Sequence, residues 1–175
     1  GGGGLVCWGP TLEPTRDPRW GRIAESGSED PYLLGEVGAA LTQGMQWGDG
    51  DGGGEGALRE QRYPLLAVYT PKHMAANSLE GEWGGVANGG GTLNRHTLDA
   101  RVSRHALQDF YWPMWRAAIR AGARGVMCSY NAINGVPACL DPLQRAARAA
   151  WGFRGYVVSD TDAVSDAWIT QRRVS

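Results

Sequence analysis

Several short apolar or β-branched runs in this 175-residue sequence end on a residue that can do chemistry. YVVSD (156–160) delivers Asp160, LLAVYT (65–70) runs into Pro71, Lys72 and His73, and GVMCSY (125–130) contains Met127 and ends at Tyr130 and Asn131. GLVCW (4–8) leads to the charged turn RDPRWGRIAE (16–25), which holds Arg22. If those runs are parallel neighbours, a cation pair, a phenol, a guanidinium and a carboxylate meet on one rim. Lys, Arg and His donate hydrogen bonds that a carboxylate cannot, so such a rim suits a polyhydroxyl ligand.

Each residue also has a plainer reading. Ser159, Asp160 or Asp162 is a natural cap for the helical pattern AVSDAWITQRR (163–173), because such side chains can accept from orphan helix N–H groups. Lys72 at a strand end could form a Schiff base in an aldolase-like barrel. His73 and Tyr130 have packing roles open to them, and a strand methionine such as Met127 is ordinarily core filling. Arg19, Asp17, Glu25 and Asp30 surround Arg22 in sequence and read as an ion-pair network that fixes the turn.

The elements needed to position these residues are legible in the pattern. The four runs are nearly continuous in apolar residues, as expected of strands buried on both faces. Between them, DPYLLGEVGAALTQGMQ (30–46) opens with Asp30 as N-cap and Pro31 at the first helical position. Its stripe of Leu34, Val37, Leu41 and Met45 predicts the buried face. Asp141 and Pro142 repeat the device before LQRAARAAW (143–151). A longer helical region covers 97–122, with Pro113 expected to kink or split it. Strand and helix alternate, which predicts an α/β fold with parallel strands, helices outside, and functional groups at the carboxyl ends of the strands. Four such units make half of a (β/α) barrel, and the length falls short of the about 250 residues of a complete one.

Composition narrows the function classes. The 17 basic and 18 acidic residues nearly cancel, leaving no basic field for nucleic acid and none for an anionic membrane surface. No apolar run reaches the about 18 residues needed to span a bilayer. Three cysteines are too few for a disulfide scaffold or a paired-cysteine metal site, although one bridge between Cys128 and Cys139 is compatible with the sequence. Glycine-rich inserts at 48–56 and 84–91 read as surface loops; the first mimics a calcium loop but lacks its full ligand series and closing glutamate. No metal or cofactor is therefore expected. The eight tryptophans suit core packing, with any exposed ones suited to stacking on sugar rings.

Four longer blocks, RDPRWGRIAESGSEDPYLLGE, KHMAANSLEGEW, VMCSYNAINGVPACLDP and WGFRGYVVSDTDAV, resemble the N-terminal domain of glycoside hydrolase family 3 in order and separation. The likeness spans nearly all of residues 1–175 apart from the glycine inserts, and implies a partial, TIM-like barrel domain. It makes Asp160 the nucleophile, and Arg22, Lys72, His73, Tyr130 and Met127 sugar-binding residues, in a retaining exo-glycosidase. The absence of a histidine-rich loop after Lys72-His73 sets the chain apart from members acting on N-acetylglucosamine. SLEGEW, NRHTLDARVS and SDTDAV resemble the β-xylosidase and α-arabinofuranosidase branch, and Thr161 stands where many β-glucosidases of the family have tryptophan. The substrate implied is thus a hemicellulose oligosaccharide with terminal β-linked xylose or arabinose, with β-glucosidase or a non-catalytic sugar-binding fragment as alternatives. The family takes its acid/base glutamate from a further, C-terminal domain and nothing in these residues matches it. The isolated chain is therefore expected to be inactive. An extracellular or cell-wall location follows from the resemblance alone.

Overall fold

In the computed structural model, which describes residues 5–47, 65–81, 93–140 and 143–171, four parallel strands form an open arc. β1 (Val6–Thr11) pairs with β2 (Val68–Lys72), and β3 (Gly125–Cys128) pairs with β4 (Tyr156–Ser159). Met74, just beyond β2, joins the two pairs: its N–H donates to the Met127 carbonyl at 2.7 Å, and its carbonyl accepts from the Ser129 N–H at 3.0 Å. The order β1-β2-β3-β4 follows the sequence, and among the described residues the arc does not close into a barrel.

A helix separates each pair of consecutive strands. α1 (Pro31–Trp47) starts where the sequence indicates, with the Asp30 carboxylate accepting from the Tyr32 N–H at 2.8 Å. α2 is Pro113–Arg120, α3 is Leu143–Trp151, and α4 (Ala163–Ile169) follows β4. Asp141, Pro142 and both glycine-rich inserts lie outside the described residues. The helices pack on one face of the arc around Leu12, Leu34, Met114, Trp115, Val126 and Phe153. Burying a large apolar side chain of this kind is worth roughly 1.5–3 kcal/mol.

Three sequence expectations need correction. First, the region 97–122 divides at Pro113 as expected, but the part before that proline is not a regular helix. Asp99–Ala100 is a short strand, one helical turn begins at Arg104, and Leu107–Tyr111 widens to π-helix before Pro113 restarts the chain as the first residue of α2. Proline has no N–H to give and suits that position. Second, the buried face of α1 is Leu34, Gly35, Gly38, Thr42 and Gln46, while Leu41 and Met45 are 39% and 43% exposed. The helix sits too close to its neighbours for a stripe of large side chains: a Cβ on Gly35 would stand 3.2 Å from the Ala117 Cβ, and one on Gly38 3.0 Å from both Leu12 methyls. Third, only β3 is buried at every position; β1 exposes Val6 and Trp8. Away from β2, its edge meets only the isolated bridge of Thr11 with Ser26 among the described residues.

Strand alternation then fixes which residues face inward. Val126 lies in the helix-side core, so Gly125 and Met127 point to the other face of β3. There the Thr70 hydroxyl bonds the Tyr156 hydroxyl at 2.6 Å, directly over Gly125, where any side chain would collide with both. Past β3 the chain makes a hairpin, Ala132–Ile133 against Val136–Pro137, around Asn134 and Gly135 at φ 51° and 83°. An Asn-Gly pair is the favoured two-residue turn because both positions need positive φ. A disulfide between Cys128 and Cys139 closes this excursion onto the end of β3.

Candidate active site

β4 ends at Ser159, and the backbone N–H of Asp160 still donates to the Cys128 carbonyl at 3.1 Å, so the ladder with β3 holds the carboxylate at the carboxyl rim. Asp160 is not the cap of α4. That place belongs to Asp162, in left-handed conformation at φ 61°, whose side chain makes no capping bond. The Asp160 carboxylate instead accepts from the Thr161 N–H through Oδ1 at 2.8 Å and faces His73 through Oδ2, 3.2 Å from Nε2. Its side chain is 15% exposed against 2% for His73, so the acid lies at the mouth and the imidazole behind it.

Arg22 completes the group. Its Nη1 lies 3.3 Å from the same His73 Nε2. Glu25 grips the other side of the guanidinium with two bonds, Nε to Oε1 at 2.7 Å and Nη2 to Oε2 at 2.6 Å. That fork holds the Glu25 carboxyl down at about 2, chiefly through the bonds from Arg22. The network expected around Arg22 resolves into separate pieces: Glu25 holds Arg22, Asp17 pairs with Arg19 on the surface, and Asp30 caps α1.

His73 is not half of a cation pair. Burial, reinforced by the charges of Arg22 and Lys72 and opposed by Asp160, pushes its imidazole down to about 4, so it is neutral near pH 7. A neutral Nε2 cannot both donate to Asp160 and accept from Arg22. The tautomer with its proton on Nε2 serves Asp160, and the one with its proton on Nδ1 accepts from the Arg22 Nη1–H.

The remaining candidates divide. Lys72 ends β2, and its charge acts on both Glu25 and His73. Met127 is buried on the inward face of β3, one level below the rim. Tyr130 belongs to a neighbouring cluster that sequence reasoning missed. Its ring lies under the Arg95 guanidinium at 4.6 Å and meets the edge of His96 at 4.6 Å. Behind it His96 Nδ1 pairs with the buried Asp166 of α4 at 2.9 Å. Arg95 reaches Glu80 at 3.6 Å, and Glu80 accepts from the Trp20 indole N–H at 2.9 Å. Apart from Asp166, these residues sit in loops with no periodic pattern; the signal available was the charge in SLE and NRH. Among the described residues no group of three or more His, Cys, Asp or Glu could hold a metal. No helix among them is long and apolar enough to cross a membrane.

A carboxyl group backed by an imidazole and a clamped guanidinium can attack an electron-poor carbon while the donors hold neighbouring hydroxyls. Comparison with known proteins gives the same direction. The profile described as Glycosyl hydrolase family 3 N terminal domain matches residues 4–174. Probable exo-1,4-beta-xylosidase bxlB of Aspergillus clavatus is 42% identical over 175 residues, 97% of this chain and 20% of its own length. Probable beta-D-xylosidase 7 of Arabidopsis thaliana is 39% identical over 165 residues, 93% of this chain and 20% of its own. Among solved structures, the exo-beta-xylosidase XlnD bound to a xylobiose aziridine probe superposes with a TM-score of 0.80 at 29% identity, covering 98% of this chain and 20% of that one. The beta-glucosidase from Listeria innocua bound to isofagomine gives 0.70 at 31% identity, over 93% and 20%. The chain thus spans about a fifth of the length of these relatives.

Proposed function

The chain belongs to the glycosyl hydrolase family 3 N-terminal domain family, and from that premise we propose that Asp160 is the nucleophile of a retaining exo-glycosidase acting on terminal β-linked xylose or arabinose of hemicellulose oligosaccharides. The observation that carries this reading is the contact of Asp160 Oδ2 with His73 Nε2 at 3.2 Å, with Arg22 on the same nitrogen. A solvent-facing acid would need no such backing.

In the first step an Asp160 oxygen bonds the anomeric carbon as the bond from that carbon to the leaving oxygen breaks, and an acid protonates the leaving oxygen. Water then attacks the anomeric carbon, giving its proton to the same group, and Asp160 is released with the sugar's configuration retained. In the tautomer that carries its proton on Nε2, His73 keeps the second Asp160 oxygen oriented through both steps. Arg22 and Lys72, with Tyr130 and Met127 forming the wall beside them, bind and orient the sugar. Glu25 is excluded as the acid, since the Arg22 fork keeps it ionised. The acid/base is assigned to a C-terminal domain outside these 175 residues, and the enzyme to the cell wall or extracellular space, with no cofactor. Xylose is preferred over glucose because the two curated relatives described above are named as xylosidases. The Listeria neighbour keeps β-glucosidase as the second reading.

The test separates the nucleophile from the missing acid. A 2,4-dinitrophenyl 2-deoxy-2-fluoro-β-xyloside carries a leaving group that needs no protonation, so it should glycosylate Asp160 even in the isolated chain, whereas an unactivated xyloside should not react. Peptide mapping that finds the label elsewhere, or none on a folded chain, refutes the assignment. Asp160→Gly should abolish labelling and keep the fold. Borohydride trapping of a carbonyl compound on Lys72 would favour the aldolase-like alternative instead.

A further inference from the structure

Glu80 makes no contact with Asp160 or His73, yet it ties together the loops that carry the other binding groups. Its Oε1 accepts from the Trp20 indole at 2.9 Å, so the carboxylate holds a side chain two residues before Arg22 in the same turn. Its Oε2 faces the Arg95 guanidinium at 3.6 Å, and that guanidinium covers the Tyr130 ring. Burial is the main force raising the Glu80 carboxyl above its ordinary range, with the Trp20 bond, Arg22 and Arg95 opposing it. A group held in that balance by residues from two separate loops is not a solvated surface acid.

We infer that Glu80 is a positioning residue that sets the Arg22 turn and the Tyr130 ring at one fixed separation, so that the two sides of the sugar site are matched to each other. The inference rests on the glycosidase reading above. Trp20 transmits the constraint on one side and Arg95 on the other; neither arm passes through the nucleophile. The sugar meets a gap whose width is decided by Glu80, and the chemical step is left to Asp160.

The experiment uses the full chain and the activated fluoroxyloside, separating the probe's apparent dissociation constant from its maximal labelling rate. Glu80→Ala should weaken probe binding by about tenfold, with the labelling rate at saturation changing much less. Glu80→Gln, which keeps a carbonyl acceptor for the Trp20 N–H but loses the attraction for Arg95, should fall between wild type and Ala. If Glu80→Ala does not fold, Glu80→Gln decides alone: weaker probe binding at an unchanged melting temperature supports the inference. Unchanged binding in a folded Glu80 variant overturns it, as does a lower melting temperature with binding intact, the mark of a merely structural residue. Failure of the wild-type chain to label at Asp160 removes the glycosidase reading and this inference with it, whereas wild-type labelling with indifferent Glu80 variants removes only the inference.

Discussion

Arg22 can hold Nη1 beside His73 in the site only while the rest of its guanidinium is fixed, and the fork to Glu25 is what fixes it. Glu25→Ala should therefore weaken binding of the fluoroxyloside probe by about tenfold. Stability should change by less than about 1 kcal/mol, because a partly exposed ion pair contributes little to folding; the Glu25 side chain is 45% exposed. Titration of labelling rate against probe concentration, beside a thermal melt, checks both halves, and a large loss of stability with unchanged binding would assign Glu25 a structural role. The residues brought together here were legible because three of the loops they occupy follow strands, and strand ends announce themselves in sequence. Asp160, His73 and Arg22 meet as that logic requires. The charge state of His73 was not legible, since burial rather than sequence neighbours decides it. Glu80 and Arg95 were missed for a related reason: they act through loop-to-loop contacts, which have no period to read.

At the scale of elements, the strands and the start of α1 followed the pattern, while the face of α1 did not. Hydrophobic periodicity assumes that burial selects large apolar side chains, and in α1 closeness selects glycine, threonine and glutamine instead. Gln46 shows why: its amide donates to the Gly122 carbonyl at 2.9 Å and its oxygen accepts from the Arg124 N–H at 3.0 Å, tying the end of α1 to the turn before β3. Two glycines of the same helix should then respond oppositely to alanine. At Gly44 a Cβ meets nothing within 4 Å, so Gly44→Ala should stabilise by up to about 1 kcal/mol through helix propensity alone. At Gly38 the new methyl meets Leu12, which is fully buried and cannot swing away, and overpacking of about 1–3 kcal/mol should outweigh that gain. Urea melts of the two variants check the contrast, and equal shifts would show that α1 does not pack this tightly. The bridge between Cys128 and Cys139, compatible with the sequence but not decided by it, closes a loop over a sequence separation of 11. Its removal by a Cys128→Ser, Cys139→Ser double change should cost about 3 kcal/mol, read from the same melts.

The whole molecule carries a pH dependence set by two buried groups of opposite sign. Glu13 is fully buried with Ser78 as its side-chain donor, and desolvation pushes its carboxyl up from 4.5 to about 8. Between those values the folded chain keeps a proton that the unfolded chain releases, so stability falls as pH rises, by at most about 1.4 kcal/mol per unit. His73 works the other way. With its imidazole lowered from 6.5 to about 4, the unfolded chain holds the extra proton in that window, and stability rises with pH. Where the windows overlap, from 4.5 to 6.5, the two slopes oppose each other and stability should be nearly flat. Above 6.5 only Glu13 is left, and about 2 kcal/mol should be lost by pH 8. Below 4.5 the lowered carboxyl of Glu25 adds to the loss of the His73 contribution, so stability falls on the acid side as well. Glu13→Gln keeps an acceptor for Ser78 and cannot ionise. Its stability should rise from pH 4.5 to 6.5 and then stay level to pH 8, and denaturant unfolding at pH 5, 6.5 and 8 distinguishes this from the wild-type profile. Parallel curves for the two proteins would mean that Glu13 ionises freely, and that its burial between the first strand and the loop after the second is not maintained in solution.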